Sequence, residues 1–244
     1  MNRFTIENKN KFCRHFLEPL CKLNPKCVLR IEKDNIQAKS SYPDGSLFLE
    51  ASSSLDTDVT DTKEVAFVDL SKFIKTLDFI EKDMASFKMD QNYISYKDTV
   101  NHFILHLNDP KVIPQPRLSF EKIKTLPFNL DIVLNTDIFF EIIKASGIYP
   151  DLNKLYFNFE KNTLKIELSD KTKSNCDGFT KTIENVESGD TSYDFILPLD
   201  SLRVILSNKA EKMQFRFHKA STLVNLIYEI DGIKLSYVIP CLIK

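Results

Sequence analysis

The chain has 244 residues, 43% of them hydrophobic and 27% charged, which is typical of one or two globular domains with a sizeable core. A formal net charge of -1 excludes a surface that is basic all over, but it leaves room for a local basic face balanced by acid elsewhere. The 5 cysteines are scattered and form no CxxC pair, so neither a disulfide framework nor a zinc site is indicated. No apolar run approaches the length of a membrane span and no secretory signal opens the chain, so we expect a cytoplasmic protein that does not bind membranes.

The first repeated unit is a strand, a helix and three strands. Apolar periodicity predicts the opening strand at Phe4 to Glu7 and the helix at Lys9 to Leu23. Three strands are then predicted at residues 27–33, 35–41 and 46–53. A tight turn around Gly45 joins the last two strands. Pro19 should kink or shorten the helix, because its ring displaces the carbonyl one turn back.

The second unit repeats this order and completes a first domain over residues 1–108. Its helix is predicted at residues 71–82, with Ser71 as the N-cap. The strands of this unit are predicted at residues 64–70, 84–90, 93–98 and 100–108. The first two units therefore form one duplicated βαβββ domain.

A proline-rich segment, residues 109–127, interrupts the repeats and is predicted to connect two domains. Its four prolines remove backbone donors and exclude a regular element from most of it. The second domain, residues 128–244, holds two further copies of the unit. Its helices are predicted at residues 136–147, where Gly147 ends the helix, and at residues 200–212. The strands of the second domain are predicted at residues 128–135, 155–161, 163–170, 179–186, 193–199, 213–219, 222–230 and 233–240.

Residues that could carry chemistry do not form a site. His102 and His106 lie in a predicted strand, where they share a face but stand about 13 Å apart, too far for one metal ion. The acidic run Asp56, Asp58 and Asp61 lacks the later glycine and glutamate of a calcium loop and is predicted to be a loop. With 5 glycines there is no GxGxxG, Walker or GxSxG motif. We predict no catalytic residue, no metal and no cofactor, and therefore no enzyme.

Several stretches resemble the DNA sliding clamps of the T-even phage type and their cellular relative, proliferating cell nuclear antigen. They are the strand and helix EVAFVDLSKFIKTL, the hairpin NIQAKSSYPDGSLFLEA and the C-terminal LSYVIPCLIK. The resemblance covers nearly the whole chain and depends most on four repeats in order at the right lengths. It implies an α+β fold of two similar clamp domains, in which helices line a ring channel and sheets lie outside.

The same resemblance implies a processivity factor that encircles duplex DNA without reading its sequence. Two-domain clamp chains close as homotrimers, and their partners are a DNA polymerase and a clamp-loader ATPase. A role with transcription factors, as in the T-even phage type, is left open by the residues, and a phage protein would act in the host cytoplasm. The alternative is a viral clamp-fold transcription factor or monomeric processivity factor, which binds DNA by one basic face without closing a ring.

A clamp should carry its positive charge on the channel helices. The four predicted helix windows hold eleven basic and seven acidic residues, whereas the remaining chain is net acidic. Weak, dispersed positive charge suits sliding, because phosphates attract Lys and Arg whatever the base sequence. The predicted DNA-facing residues are Lys11, Arg14, His15, Lys22, Lys72, Lys75, Lys82, Lys144, Arg203, Lys209 and Lys212.

Two further surfaces are expected from the resemblance. The strand over residues 100–108 should pair with the strand over residues 179–186 of a neighbouring chain, because unpaired edge strands seek partners. The apolar residues predicted at this subunit interface are Phe103, Leu105, Phe179 and Ile183. A pocket for the apolar anchors of client peptides is predicted from Val112, Ile113, Leu118, Tyr237, Ile239, Pro240 and Leu242.

Overall fold

Alternating apolar residues decide which side of each strand is buried, and antiparallel sheets follow from them. The computed structural model describes residues 2–173, 175–186, 192–208 and 210–242. The chain forms two compact units, Met1–Phe120 with Glu229–Ser236, and Glu121–Tyr228 with Tyr237–Lys244, as far as these ranges are described. In the described residues no helix is long and apolar enough to cross a membrane.

Unit 1 contains two antiparallel sheet regions, and both follow the predicted strands closely. The first has the order β5-β1-β7-β8-β9, with β5 at Asp56–Thr57, β1 at Asn2–Ile6, β7 at Ala85–Met89, β8 at Tyr93–Lys97 and β9 at His102–His106. The second has the order β4-β3-β2-β6, with β4 at Phe48–Ser54, β3 at Asn35–Ser41, β2 at Cys27–Glu32 and β6 at Lys63–Phe67. Strand β5 was not predicted: two residues of the acidic run pair with β1, and the run is otherwise irregular.

Unit 2 repeats the plan of unit 1. One sheet has the order β13-β12-β11-β14, with β13 at Phe179–Ile183, β12 at Thr163–Leu168, β11 at Lys154–Glu160 and β14 at Tyr193–Pro198. The other has the order β10-β15-β16-β17, with β10 at Leu130–Asn135, β15 at Lys212–His218, β16 at Leu223–Ile230 and β17 at Ile233–Pro240. The hairpin end of β16 and β17, residues 229–236, is counted with unit 1.

Of the two predicted effects of Pro19, a kink or a shortening, the shortening is wrong, because the first helix is continuous and is instead distorted by a π-helical turn. It runs as α1 (Lys9–Phe12), a π-helical turn (Cys13–Leu17) and α2 (Glu18–Leu23). The π turn ends at Leu17, just before α2, and Pro19 lies in the first turn of α2, where its missing N–H is least costly. The wider turn makes room for the ring without ending the helix, so the proline is absorbed locally.

Several other helix ends differ from the prediction. Helix α3 spans Leu70–Phe79, and its N-cap is Asp69, whose side chain accepts from the Ser71 amide at 3.1 Å, so the prediction of Ser71 as the cap was wrong. The fourth repeat helix is short: α6 (Leu199–Ile205) continues only as a 3-10 turn, Leu206–Asn208. Helix α5 at Asp137–Ser146 agrees with its prediction. The proline-rich connector holds a 3-10 turn at Pro110–Val112 and a short helix, α4, at Phe120–Lys124.

Phenylalanine rings dominate both cores. In unit 1, Phe87 stacks on Phe4 and meets Phe73 of α3 edge to face, each at 5.3 Å between ring centroids. In unit 2, Phe195 stacks on Phe157 at 5.1 Å and on Phe217 at 4.3 Å. Such rings bury large apolar areas and favour defined geometries, so they fix how helices and sheets pack.

A buried ammonium group joins the two helices of unit 1. Lys9 is only 7% exposed, and its Nζ donates to the carbonyl oxygens of Leu77, at 3.2 Å, and of Ile80. These carbonyls lie at the end of α3, where the Leu77 carbonyl also accepts from the Ile80 amide at 3.2 Å, so the ammonium adds a charged donor there and complements the negative end of the helix dipole. Lys9 is therefore a structural residue, although it lies on a basic helix.

We expect Lys9→Met to lower the free energy of unfolding by about 1.5–3 kcal/mol, because charged hydrogen bonds to buried carbonyls are lost. Urea unfolding followed by circular dichroism measures this change. Lys11→Met is the matched control, since Lys11 lies exposed on the same helix and its loss should cost little. Equal stability of the two variants would contradict the capping role.

Candidate nucleic-acid interface

The helices of unit 1 present cations on one face and bury the other. Side chains of Lys11, Arg14, Lys22, Lys72 and Lys75 are exposed. The opposite face of these helices is buried through Phe12, Phe16, Leu20, Phe73 and Leu77. The amphipathic pattern therefore places these five predicted DNA-facing residues at the surface. Lys11 also forms an ion pair of 3.2 Å with Asp231, which is exposed enough for solvent to weaken it.

His15 lies in the interior, so its prediction as a DNA-facing residue is corrected. Its Nε2 lies 3.7 Å from Oδ2 of Asp231, and Nδ1 has no hydrogen-bond partner in the structure. Burial lowers the pKa of His15 from its ordinary 6.5, and the charge of Asp231 opposes that shift. The helical spacing predicted one charged face, but the π turn that begins at Cys13 rotates the helix locally and carries His15 toward the core.

The helices of unit 2 carry fewer cations. Lys144 is exposed on α5, and Arg203 is exposed on α6. The Arg203 guanidinium donates 2.8 Å hydrogen bonds to Asp200 Oδ1 and to Ser146 Oγ, so both of its terminal nitrogens have protein partners. Glu141 of α5 forms an ion pair with Lys181 of β13.

Two of the predicted DNA-facing residues do not lie on helices, and a third lies outside the described residues. Lys82 follows the end of α3 and is exposed in a loop. Lys212 is exposed at the first position of β15, because the fourth helix ends well before it. Lys209 lies outside the described residues. For Lys82 and Lys212, the helix assignment is corrected.

Strands β9 and β13 each lie at an edge of their sheet among the described strands. Phe103 and Leu105 on β9 are half-buried, as are Phe179 and Ile183 on β13. Phe79, at the end of α3, is 63% exposed and meets the Phe103 ring edge to face at 5.4 Å. The sequence prediction missed Phe79, although an aromatic residue at the end of a basic amphipathic helix is a signal for such a contact.

The predicted client-pocket residues divide into exposed and buried groups. Val112 is 62% exposed, Leu118 is half-buried, and Pro240 and Leu242 are exposed. The Leu242 amide donates to the Ile196 carbonyl at 2.9 Å, which attaches the C-terminal segment to β14.

For the other three residues the prediction of a client pocket is corrected, because their side chains belong to the core. Ile113 packs with Val28 and Ala66. Tyr237 is 0% exposed and stacks on Tyr228 at 6.0 Å. Ile239 is equally buried, since both faces of its strand are covered. None of the three can accept an anchor without local rearrangement.

No metal centre accompanies these surfaces: among the described residues, no three His, Cys, Asp or Glu side chains come together to hold an ion. His102 and His106 are exposed on β9, on the strand that the sequence predicts.

Two units, each with two helices against antiparallel sheets, define the sliding-clamp fold. PCNA of A. fulgidus, solved with the C-terminal region of FEN-1 bound, matches with a TM-score of 0.76 at 15% identity over 100% of this chain and 99% of that chain. PCNA of Thermococcus kodakaraensis gives 0.76 at 16% identity over 99% of this chain and 100% of that chain. The PCNA2-PCNA3 complex of Sulfolobus tokodaii gives 0.70 at 13% identity over 98% of each chain.

No sequence model of a known protein family matches the chain, and no curated protein matches it. The three structural matches nevertheless show that the chain has the fold of PCNA sliding clamps, and they confirm the predicted α+β fold class. The likeness to the T-even phage type stays a prediction.

The buried imidazole makes stability depend on pH. Because the folded-state pKa of His15 lies below 6.5, the unfolded chain binds a proton there more readily than the folded chain. The contribution of neutral His15 to the free energy of unfolding is fully present above pH 6.5 and is lost as the pH falls toward the lowered pKa. Lys11, Arg14, Glu18 and Asp231 are the charged groups that act on the imidazole.

We therefore expect the urea midpoint of the wild type to fall more between pH 7.5 and 5.5 than that of His15→Gln. His102→Gln is the matched control, because His102 is exposed on β9. Parallel pH dependence of the wild type and His15→Gln would show that His15 does not set this slope.

Proposed function

We propose that this chain is a subunit of a homotrimeric sliding clamp, which encircles duplex DNA and holds a replicative DNA polymerase on it. The observation that carries the proposal is the likeness to archaeal PCNA over the whole chain, which includes both units. A likeness confined to one unit would fit many DNA-binding proteins. A match over both units supports the ring-forming architecture as a whole.

Contact with DNA is supported by the exposed cations of the helices. Lys and Arg attract phosphates irrespective of sequence, and each contact releases counterions, so binding weakens steeply with salt. The side chains are long and solvated, and they do not form a groove that would read bases. This arrangement suits a protein that holds the duplex and lets it slide.

Ring closure is supported by β9 and β13. Each strand lies at an edge of its sheet among the described strands and carries half-buried apolar side chains: Phe103, Leu105, Phe179 and Ile183. An unpaired edge is a liability unless it is covered, and pairing β9 of one copy with β13 of the next would cover both. The exposed Phe79 ring, next to Phe103, would extend the apolar part of this interface.

Client binding is supported by exposed apolar residues of the connector and the C-terminal segment. Val112, Leu118, Pro240 and Leu242 are the accessible members of the predicted set. The A. fulgidus protein, whose fold this chain shares, binds the C-terminal region of FEN-1. A polymerase, a clamp loader and, in a phage, transcription factors are the clients proposed here.

The proposal is tested with linear duplex DNA whose ends are free or blocked, in the absence of a clamp loader. We expect the protein to sediment as a trimer at micromolar concentration and to thread onto linear duplex with free ends, because a closed ring reaches DNA only over an end. Blocking both ends with bound streptavidin should reduce retention at least tenfold. Gel filtration of the protein–DNA mixture measures the retained fraction.

Phe103→Asp in β9 should convert the trimer to a monomer and abolish the dependence on free ends, because a buried unpaired charge disrupts the edge contact. Val133→Asp, on β10, is the control for adding a charge to an exposed strand position. A wild type that is monomeric and binds blocked DNA equally well would favour the alternative, a clamp-fold factor without a ring.

Val112→Asp and Leu242→Asp should each weaken the binding of a polymerase C-terminal peptide about tenfold or more, because the loss of one apolar anchor contact costs at least about 1.4 kcal/mol of binding free energy. Fluorescence anisotropy of the labelled peptide measures the affinity. Val133→Asp is again the matched control, because Val133 is 66% exposed and Val112 is 62% exposed. Unchanged affinity in both variants, with an intact trimer, would move the client site elsewhere.

A further inference from the structure

We propose that the phosphate contacts of each subunit come from the helices of unit 1, and that the helices of unit 2 face the duplex without holding its phosphates. The inference deepens the proposed function and rests on it. A homotrimer would then present three attracting and three non-attracting helix pairs to the DNA. The argument depends on charge, burial and side-chain partners, each taken within one unit.

The two units differ in the charge of their helices. In unit 1, the helix over residues 9–23 and α3 hold six basic and two acidic residues. In unit 2, α5 and α6 hold two basic and three acidic residues. The small basic excess of the four helices therefore comes entirely from unit 1.

Burial leaves this difference in place. Lys9 is removed from the count, because its ammonium is buried against α3 carbonyls. Five exposed cations remain in unit 1: Lys11, Arg14, Lys22, Lys72 and Lys75. Asp231 offsets one of them, through its ion pair with Lys11. Even so, the exposed helix face of unit 1 stays positive.

The cations on helices α5 and α6 of unit 2 are fewer, and one of them forms hydrogen bonds within the unit. Arg203 donates from both terminal nitrogens, to Asp200 and Ser146, so the Asp200 carboxylate offsets its charge and two of its five donors are engaged. Lys144 is the other cation, and it shares α5 with Asp137 and Glu141. Lys181 partly offsets Glu141, but no excess of positive charge results. This helix pair should therefore have no net attraction for phosphates, or repel them weakly.

A homotrimer with cations on all six helix pairs would hold the duplex at six places, whereas the proposed homotrimer holds it only at the three helix pairs of unit 1. Fewer contacts mean a smaller salt dependence and a weaker hold at each position, because the salt dependence scales with the number of neutralised phosphates. The clamp would then rely on its closed topology for retention.

The first test uses the unmodified protein with a short blunt-ended duplex at low salt. Surface lysines are acetylated with and without DNA, and each position is quantified by mass spectrometry. We expect DNA to lower the labelling of Lys72 and Lys75 at least threefold and to leave Lys144 unchanged. Lys88, exposed on β7, is the internal control for general loss of reactivity.

The second test compares matched pairs of substitutions by salt dependence of retention on the same duplex. Because a homotrimer carries Lys72→Ala and Lys75→Ala three times each, up to six phosphate contacts are lost, and the slope of log affinity against log salt should shrink by up to about 5, at about 0.9 for each contact. Lys144→Ala with Arg203→Ala should leave the slope unchanged. Thermal unfolding of both double variants establishes that they are folded, since Arg203 also has partners within unit 2.

The outcomes separate the two levels of the proposal. Protection of Lys144 equal to that of Lys72, or equal loss of slope in both double variants, overturns the confinement to unit 1 and leaves the clamp function intact. No protection at any lysine, together with a wild-type slope near zero, overturns the clamp function as well.

Discussion

Burial of one face of each helix against an antiparallel sheet is the constraint on which the rest of the structure depends. Phe73 of α3 must meet Phe87, and Phe16 must leave solvent, because apolar burial is the main favourable contribution to folding. A helix fixed in this way can vary freely only on its other face. The core therefore determines the surface that would meet DNA, because the lysines lie on the helix face opposite the buried rings.

The same constraint explains why structural and functional charges occur side by side. Lys9 and Lys11 are two positions apart on one helix, yet Lys9 is buried against the carbonyls that end α3 and Lys11 is exposed. Side chains two apart do not share a helix face, so one lysine can cap a neighbouring helix while the other reaches solvent. Composition alone cannot separate the two roles.

The strands were predictable because each carries its own evidence. An alternation such as that of Leu130–Asn135 specifies a strand and its buried face, and the predicted strands agree with the structure within a few residues. Four repeats in order then specified the fold class. The order of strands across a sheet could not be derived from periodicity, because an alternation specifies the buried face of a strand and not its neighbours.

Helix ends and turns were harder to predict, because several residues compete for the same role. Asp69 and Ser71 are both good N-caps, and the structure uses Asp69 with Ser71 as its donor. The fourth helix ended early because Lys212 and Met213 pair in a sheet, where β15 aligns with β10. His15 was misplaced because a π turn breaks the 3.6-residue period, and only the later Pro19 hints at that turn.

The connector shows how a surface segment can be ordered in advance for a partner. Ile113 is buried with Val28 and Ala66, so it anchors this part of the connector to unit 1. Its neighbour Val112 is exposed, and the 3-10 turn Pro110–Val112 together with nearby prolines restricts the backbone around it. Ordering a free loop costs about 1–2 kcal/mol per residue, and an anchored, proline-stiffened loop has lost much of that entropy before any peptide arrives. The burial of Ile113, which removes it from a client pocket, is thus what would let Val112 serve in one.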